Sequence, residues 1–146
     1  MQARFMLCDA ADVQGGKLYV MGGGWTWTIV AQPVIIGVAI SIQVPWTEAN
    51  VQHTLEFSLR DVDGNAVVQE TPEGPKPVRA DGRFGVGRPM GVREGSELFV
   101  PLAFRLGPLL LTPQRYMCEL RINDVILDTL AFEGLAIHPS QGGLPQ

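Results

Sequence analysis

Across residues 98–132 apolar and polar side chains alternate in three runs, and a two-residue period belongs to strands with one face in a core. Leu98, Val100, Leu102, Phe104 and Leu106 share one apolar face. Pro101 removes a backbone donor from that run, which places it at an edge or a bulge. After a Pro-marked corner, Tyr116, Cys118, Leu120 and Ile122 alternate with Arg115, Met117, Glu119 and Arg121. Asn123-Asp124 reads as a two-residue hairpin turn. Carried through that turn, the register puts Val125, Leu127 and Thr129 on the core face and Ile126, Leu130 and Phe132 outside.

The upstream chain follows the same rule. Residues 4–10 and 17–21 read as a hairpin turned at Gly15-Gly16, apolar on both faces, so these strands are expected to be central in a sheet or covered. Ile36, Val38, Ile40, Ile42 and Val44 predict a long strand. Leu55, Phe57 and Leu59 alternate with Glu56, Ser58 and Arg60, the cleanest strand of all. Asp63-Gly64 predicts a turn with residues 66–69 as its return strand, and the three prolines within residues 71–77 predict a loop. Arg79, Asp81 and Arg83 then share one face of a further strand.

With no convincing helical stripe anywhere, the expectation is an all-β fold: a single antiparallel β-sandwich, Greek-key, Ig-like or jelly-roll-like, of about eight to ten short strands. Tyr116 sits where a tyrosine corner would fall. Residues 1–134 form the expected domain, and residues 135–146 a loosely ordered tail.

Composition narrows the class. Hydrophobic residues make up 46% of the 146 and charged ones 18%, a packed globule rather than a disordered chain. The longest apolar run is too short to span a bilayer, and no signal-peptide pattern opens the chain, so a cytoplasmic protein is expected, or a virion component if phage-encoded. Cys8 and Cys118 could pair, but two buried thiols is the simpler reading. Net charge is −4, which gives nucleic acid nothing global to bind. Residues 76–93 reverse that sign locally: Lys76, Arg79, Arg83, Arg88 and Arg93 face only Asp81, a local +4. Arg79, Arg83, Arg88 and Arg93 are therefore candidates for contact with an anion or an acidic partner, against the alternative of a solvated face.

Catalytic chemistry finds little support. The Gly22-Gly23-Gly24 run lacks the spacing and following helix of a phosphate loop. The acidic stretch from Asp61 has Ala66 and Pro72 where a calcium loop needs Gly and Glu. His53 and His138 lack metal-ligand spacing. No catalytic residue, cofactor or metal is expected.

Several stretches together resemble a family of short bacterial and phage proteins of unknown function. They are Leu-Cys-Asp at residues 7–9, Gly-Lys-Leu-Tyr-Val-Met-Gly-Gly-Gly-Trp at 16–25, Val-Pro-Trp-Thr-Glu-Ala-Asn at 44–50, Phe-Gly-Val-Gly-Arg-Pro at 84–89 and Val-Pro-Leu-Ala-Phe at 100–104. The resemblance spans residues 4–132 and implies a small intracellular β-sandwich with no assigned activity and no catalytic residues to carry over.

Two functional expectations follow. The first is a non-enzymatic structural protein working through protein–protein contact and self-assembling as a homo-oligomer, with a phage-type particle accessory or decoration subunit as its finer form. Its surplus apolar surface would come from Trp25, Trp27, Trp46, Ile126, Leu130 and Phe132. The second is a small-ligand or carbohydrate-binding module that uses the tryptophans as a stacking platform.

Overall fold

The computed structural model describes residues 1–138. Its twelve strands are β1 (Gln2–Cys8), β2 (Ala10–Gln14), β3 (Lys17–Met21), β4 (Trp27–Ile29), β5 (Val34–Val44), β6 (His53–Arg60), β7 (Val68–Thr71), β8 (Gly74–Pro77), β9 (Arg79–Phe84), β10 (Leu98–Leu109), β11 (Arg115–Ile122) and β12 (Val125–Leu135). One short 3-10 turn, Trp46–Glu48, interrupts them. The all-β expectation holds, but twelve strands stand where eight to ten were expected, two small two-stranded sheets lie beside the two large ones, and one strand pair is parallel.

A three-stranded sheet in the order β1-β5-β10 faces a five-stranded sheet in the order β4-β12-β11-β6-β9. Pairing within them is antiparallel except for β4, which runs parallel to β12. Their inner faces meet in a core crossed by aromatic contacts: Phe57 takes Phe5 edge-on at 5.2 Å and Phe104 at 5.4 Å. Edge-to-face geometry aligns a ring's positive rim with its neighbour's negative face. At one corner the sheets curl together, where the Phe5 N–H donates to the Asp128 carboxylate at 3.0 Å.

Several local expectations hold for identifiable reasons. Asn123 (φ 52°) and Asp124 (φ 65°) both take the left-handed conformation that a type I′ hairpin demands, and Asn and Asp tolerate it well. Pro101 lies on β10, an edge strand. The Tyr116 hydroxyl donates to the Thr112 carbonyl at 3.0 Å and accepts from the Thr112 N–H at 2.9 Å, as a tyrosine corner does. Cys8 and Cys118 are buried free thiols.

Other expectations need correction. The first hairpin pairs β2 with β3, because the chain breaks at Asp9 and β1 joins β5 instead. The β2–β3 ribbon lies outside both sheets with only one half-buried face, so Tyr19 and Met21 stay exposed rather than covered. Residues 66–69 form no full return strand: after an Arg60–Ala66 bridge the chain leaves as a separate hairpin, β7–β8, through the segment expected to be a loop. Gln69 anchors that hairpin, its side chain donating to the Leu110 carbonyl at 3.0 Å and accepting from the Leu110 N–H at 2.8 Å.

The largest correction concerns β12. Leu120 pairs with Asp128 but Arg121 with Ile126, so Leu127 is an extra, bulged residue. One inserted residue exchanges the two faces of everything beyond it. Phe132, expected outside, is therefore 1% exposed in the core, and Leu130 is half-buried against it. Leu135 completes β12 against Ile29, so the strand runs one residue past the expected domain boundary. The loosely ordered tail expected over 135–146 falls largely on residues 139–146, outside the described residues.

Candidate functional site

The six candidate interaction residues do not form one surface. Phe132 stacks on Tyr116 at 5.2 Å, and Trp25 meets Phe132 edge-on at 5.6 Å. Trp46 is half-buried beneath Arg88, whose guanidinium lies 4.8 Å from the ring centroid and donates to the Trp46 carbonyl at 2.8 Å. That clasp pins the loop after β9 to the short 3-10 turn. Only Trp27 and Ile126, 40% and 44% exposed, face solvent. Trp27 pairs with Glu133, near the far end of β12 from Ile126. At strand rise the two stand about 23 Å apart.

The arginine cluster also disperses. Arg88 is spent on Trp46 and Arg93 lies in the following loop. Arg79 and Arg83 line a shallow trough of about 430 Å³ on the outer face of β6 and β9, with Thr54, Glu56, Asp81 and Arg121. Its charges already compensate one another: Arg79 reaches Asp81 at 3.3 Å and Glu56 at 3.7 Å, and Arg121 reaches Glu119 at 3.7 Å. Exposed pairs of this kind contribute little to stability and leave small net charge for a ligand.

The histidines separate likewise. His53 is buried, with Nε2 at 2.9 Å from the Glu48 carbonyl and Nδ1 at 2.9 Å from the Asn123 amide nitrogen. Those partners suit one neutral tautomer, Nε2–H donating and Nδ1 accepting. Asn123 in turn accepts from the Thr54 N–H at 3.1 Å, so the ring ties the hairpin tip to the 3-10 turn. Asp61 accepts from the Asp63 and Asn65 N–H groups at 3.0 and 2.9 Å, a turn-forming role rather than a metal-binding one. Among the described residues no cluster of three or more His, Cys, Asp or Glu could hold a metal ion.

What remains is a groove of about 510 Å³ beside β4, lined by Asp9, Gly22, Trp25, Trp27, Ile29, Gln32, Pro33 and Ile35, with Thr28, Val34 and His138 completing it. Three facts build it. Residues 22–24 run along the outer edge of β1, with the Gly24 N–H donating to the Leu7 carbonyl at 2.8 Å. Gly22 (φ 60°) lets that chain pass against the Asp9 carboxylate, where a Cβ would collide with it. The Trp27 and His138 rings meet edge-to-face at 5.1 Å. Gln32 and Ile35 carry no motif, and Asp9 only closes the Leu-Cys-Asp stretch; Ile35 lies inside an apolar run, and its 51% exposure is visible only in the fold.

Comparisons add a family but no activity. No curated protein matches the chain. Among solved structures, it is similar to the Pseudomonas fluorescens alkylpurine DNA glycosylase AlkC bound to DNA containing an abasic site analog, at 8% identity and a TM-score of 0.41. The match covers 90% of this chain but 30% of that one, and the likeness is too slight to carry an argument. Among the described residues no helix is long and apolar enough to cross a membrane. A family model does match residues 3–133, nearly the whole described domain, and the chain belongs to DUF6941, a family of unknown function.

Proposed function

We propose that this protein is a non-enzymatic interaction module that holds a protein partner in the aromatic groove beside β4. The observation that carries this reading is Trp27: alone among the three tryptophans it is exposed, and it sits on a sheet-edge strand in a groove it shares with exposed Ile35. Aromatic side chains on a surface are the residues most often found as interaction anchors. The first partner to test is a second copy of the chain. A place as accessory or decoration subunit on a phage-type particle, with a cytoplasmic or virion location to match, is the finer form of this proposal and rests on fold analogy.

Light scattering behind a sizing column decides the self-assembly form. A defined oligomer that Trp27→Asp dissociates, with circular dichroism unchanged, supports it; a monomer, or an oligomer indifferent to Trp27→Asp, sinks it.

A second reading is favoured by the groove's size, which falls within the range of small-molecule sites, and by the polar Asp9 and Gln32 beside Trp27. It makes the protein a carbohydrate- or small-ligand-binding module. Stabilisation by a saccharide panel in thermal shift, abolished by Trp27→Ala, would favour it; no shift with any sugar would reject it.

A further inference from the structure

We infer that the groove accepts an extended, basic peptide segment as an added strand on the outer edge of β4. The inference deepens the reading of the groove as an interaction site and rests on it.

Backbone geometry supplies the first argument. Among the described residues β4 pairs with β12 alone, and the bonds run from the Glu133 N–H to the Thr26 carbonyl and from the Val30 N–H to the Leu135 carbonyl, both at 2.9 Å. Successive residues of a strand direct their backbone groups to opposite sides. Thr28 therefore faces β12, and the N–H and C=O groups of Trp27 and Ile29 face the groove.

The other edges of the two large sheets are protected. β1 is closed by Asp128 at Phe5 and by residues 22–24 at Leu7. β9 presents Arg79, Asp81 and Arg83 beside an exposed Gly82, and β10 carries Pro101. Charge, cover and proline are the usual means by which a sheet edge avoids pairing. β4, Trp-Thr-Ile, carries neither charge nor proline, and among the described residues no strand pairs with its outer edge. Its shortness limits what can dock to a few backbone bonds, which suits a peptide rather than a whole sheet.

Charge selects the occupant. Asp9 is the only carboxylate among the lining residues, and no Lys or Arg lines the groove. A Lys or Arg on the incoming strand meets that carboxylate and the exposed Trp27 face, an acid and a π-system that both favour a cation. An acidic peptide would meet repulsion without compensation.

The test pans a random decamer library, displayed on phage, against the intact protein and against Trp27→Ala. The expected winners bind only the wild type, alternate β-branched or aromatic residues, lack central proline, and carry basic residues about threefold more often than acidic ones. Methylating two alternate backbone nitrogens of a synthetic winner is expected to weaken binding about tenfold or more in one register and not in the other. Asp9→Asn should weaken it about threefold. Enrichment of acidic peptides, equal tolerance of methylation in both registers, or no enrichment over Trp27→Ala overturns the inference. If nothing is enriched while Trp27→Asp still dissociates an oligomer, the groove stands as an interface and the added-strand occupant falls.

Discussion

The Phe5 N–H and the Asp128 carboxylate meet at 3.0 Å across 123 residues of chain, and that bond closes the corner between the two sheets. Phe5 belongs to an edge strand whose outer amide would otherwise be half-buried without a partner. Asp128 reaches it because the Leu127 bulge turns position 128 inward. Asp128→Ala is expected to destabilise by about 1–3 kcal/mol in urea unfolding, since it strands a donor, and to speed exchange of the Phe5 amide above that of its strand neighbours. An unchanged midpoint and exchange rate would mean water serves the amide equally well.

Phe132 provides a contrast with Trp27. With 1% exposure, and with Tyr116 and Trp25 on its ring, Phe132→Ala should cost about 3–5 kcal/mol, and Phe132→Asp should prevent folding. Trp27→Ala should cost much less in the same urea titration while removing groove binding. Loss of assembly in a Phe132 variant is thus evidence about folding.

Gly37 is required by packing. A Cβ there would stand 2.6 Å from the Cys8 carbonyl oxygen and 2.9 Å from its Sγ, both on the neighbouring strand. Gly37→Ala should separate β1 from β5 and lower stability by about 1–3 kcal/mol, whereas Gly82→Ala, with open space around it, should be nearly neutral. Equal thermal shifts for the two variants would refute the steric account.

Cys118 gives a pH dependence. Burial pushes its thiol from 9.0 up to about 12, so the folded chain keeps a proton that the unfolded chain releases above pH 9. Stability from this group is fully present below pH 9 and is lost as pH rises toward 12, at no more than about 1.4 kcal/mol per pH unit. Cys118→Ala should remove that part of the alkaline slope and cost stability at neutral pH. Native Cys118 should also resist iodoacetamide at pH 8 until urea is added; ready alkylation of the folded protein would contradict its burial.

His53 holds the hairpin tip through one donor and one acceptor, so His53→Ala should cost about 2–3 kcal/mol by leaving the Glu48 carbonyl and the Asn123 amide unpaired. A midpoint matching the wild type would show that the ring only fills space.

Alternation by itself determined much of this protein. The strand carrying Ile36 to Val44, the inward Leu55, Phe57 and Leu59, the Asn123-Asp124 turn, the edge placement of Pro101 and the Tyr116 corner were legible because each depends on a residue's own geometry or on a two-residue period. The tertiary structure decided what no local rule contains. A bulge at Leu127 leaves no mark in sequence, yet it moved Leu130 and Phe132 from the outer face to the core. Arg79, Arg83, Arg88 and Arg93 are close in sequence, but successive residues on a strand and its following loop point to different surroundings, so one arginine clasps Trp46 and another joins a salt ladder. The groove itself gathers Asp9, Gly22, Trp27 and Ile35 from four segments. Its existence depends on where two sheets part, and that is a property of packing.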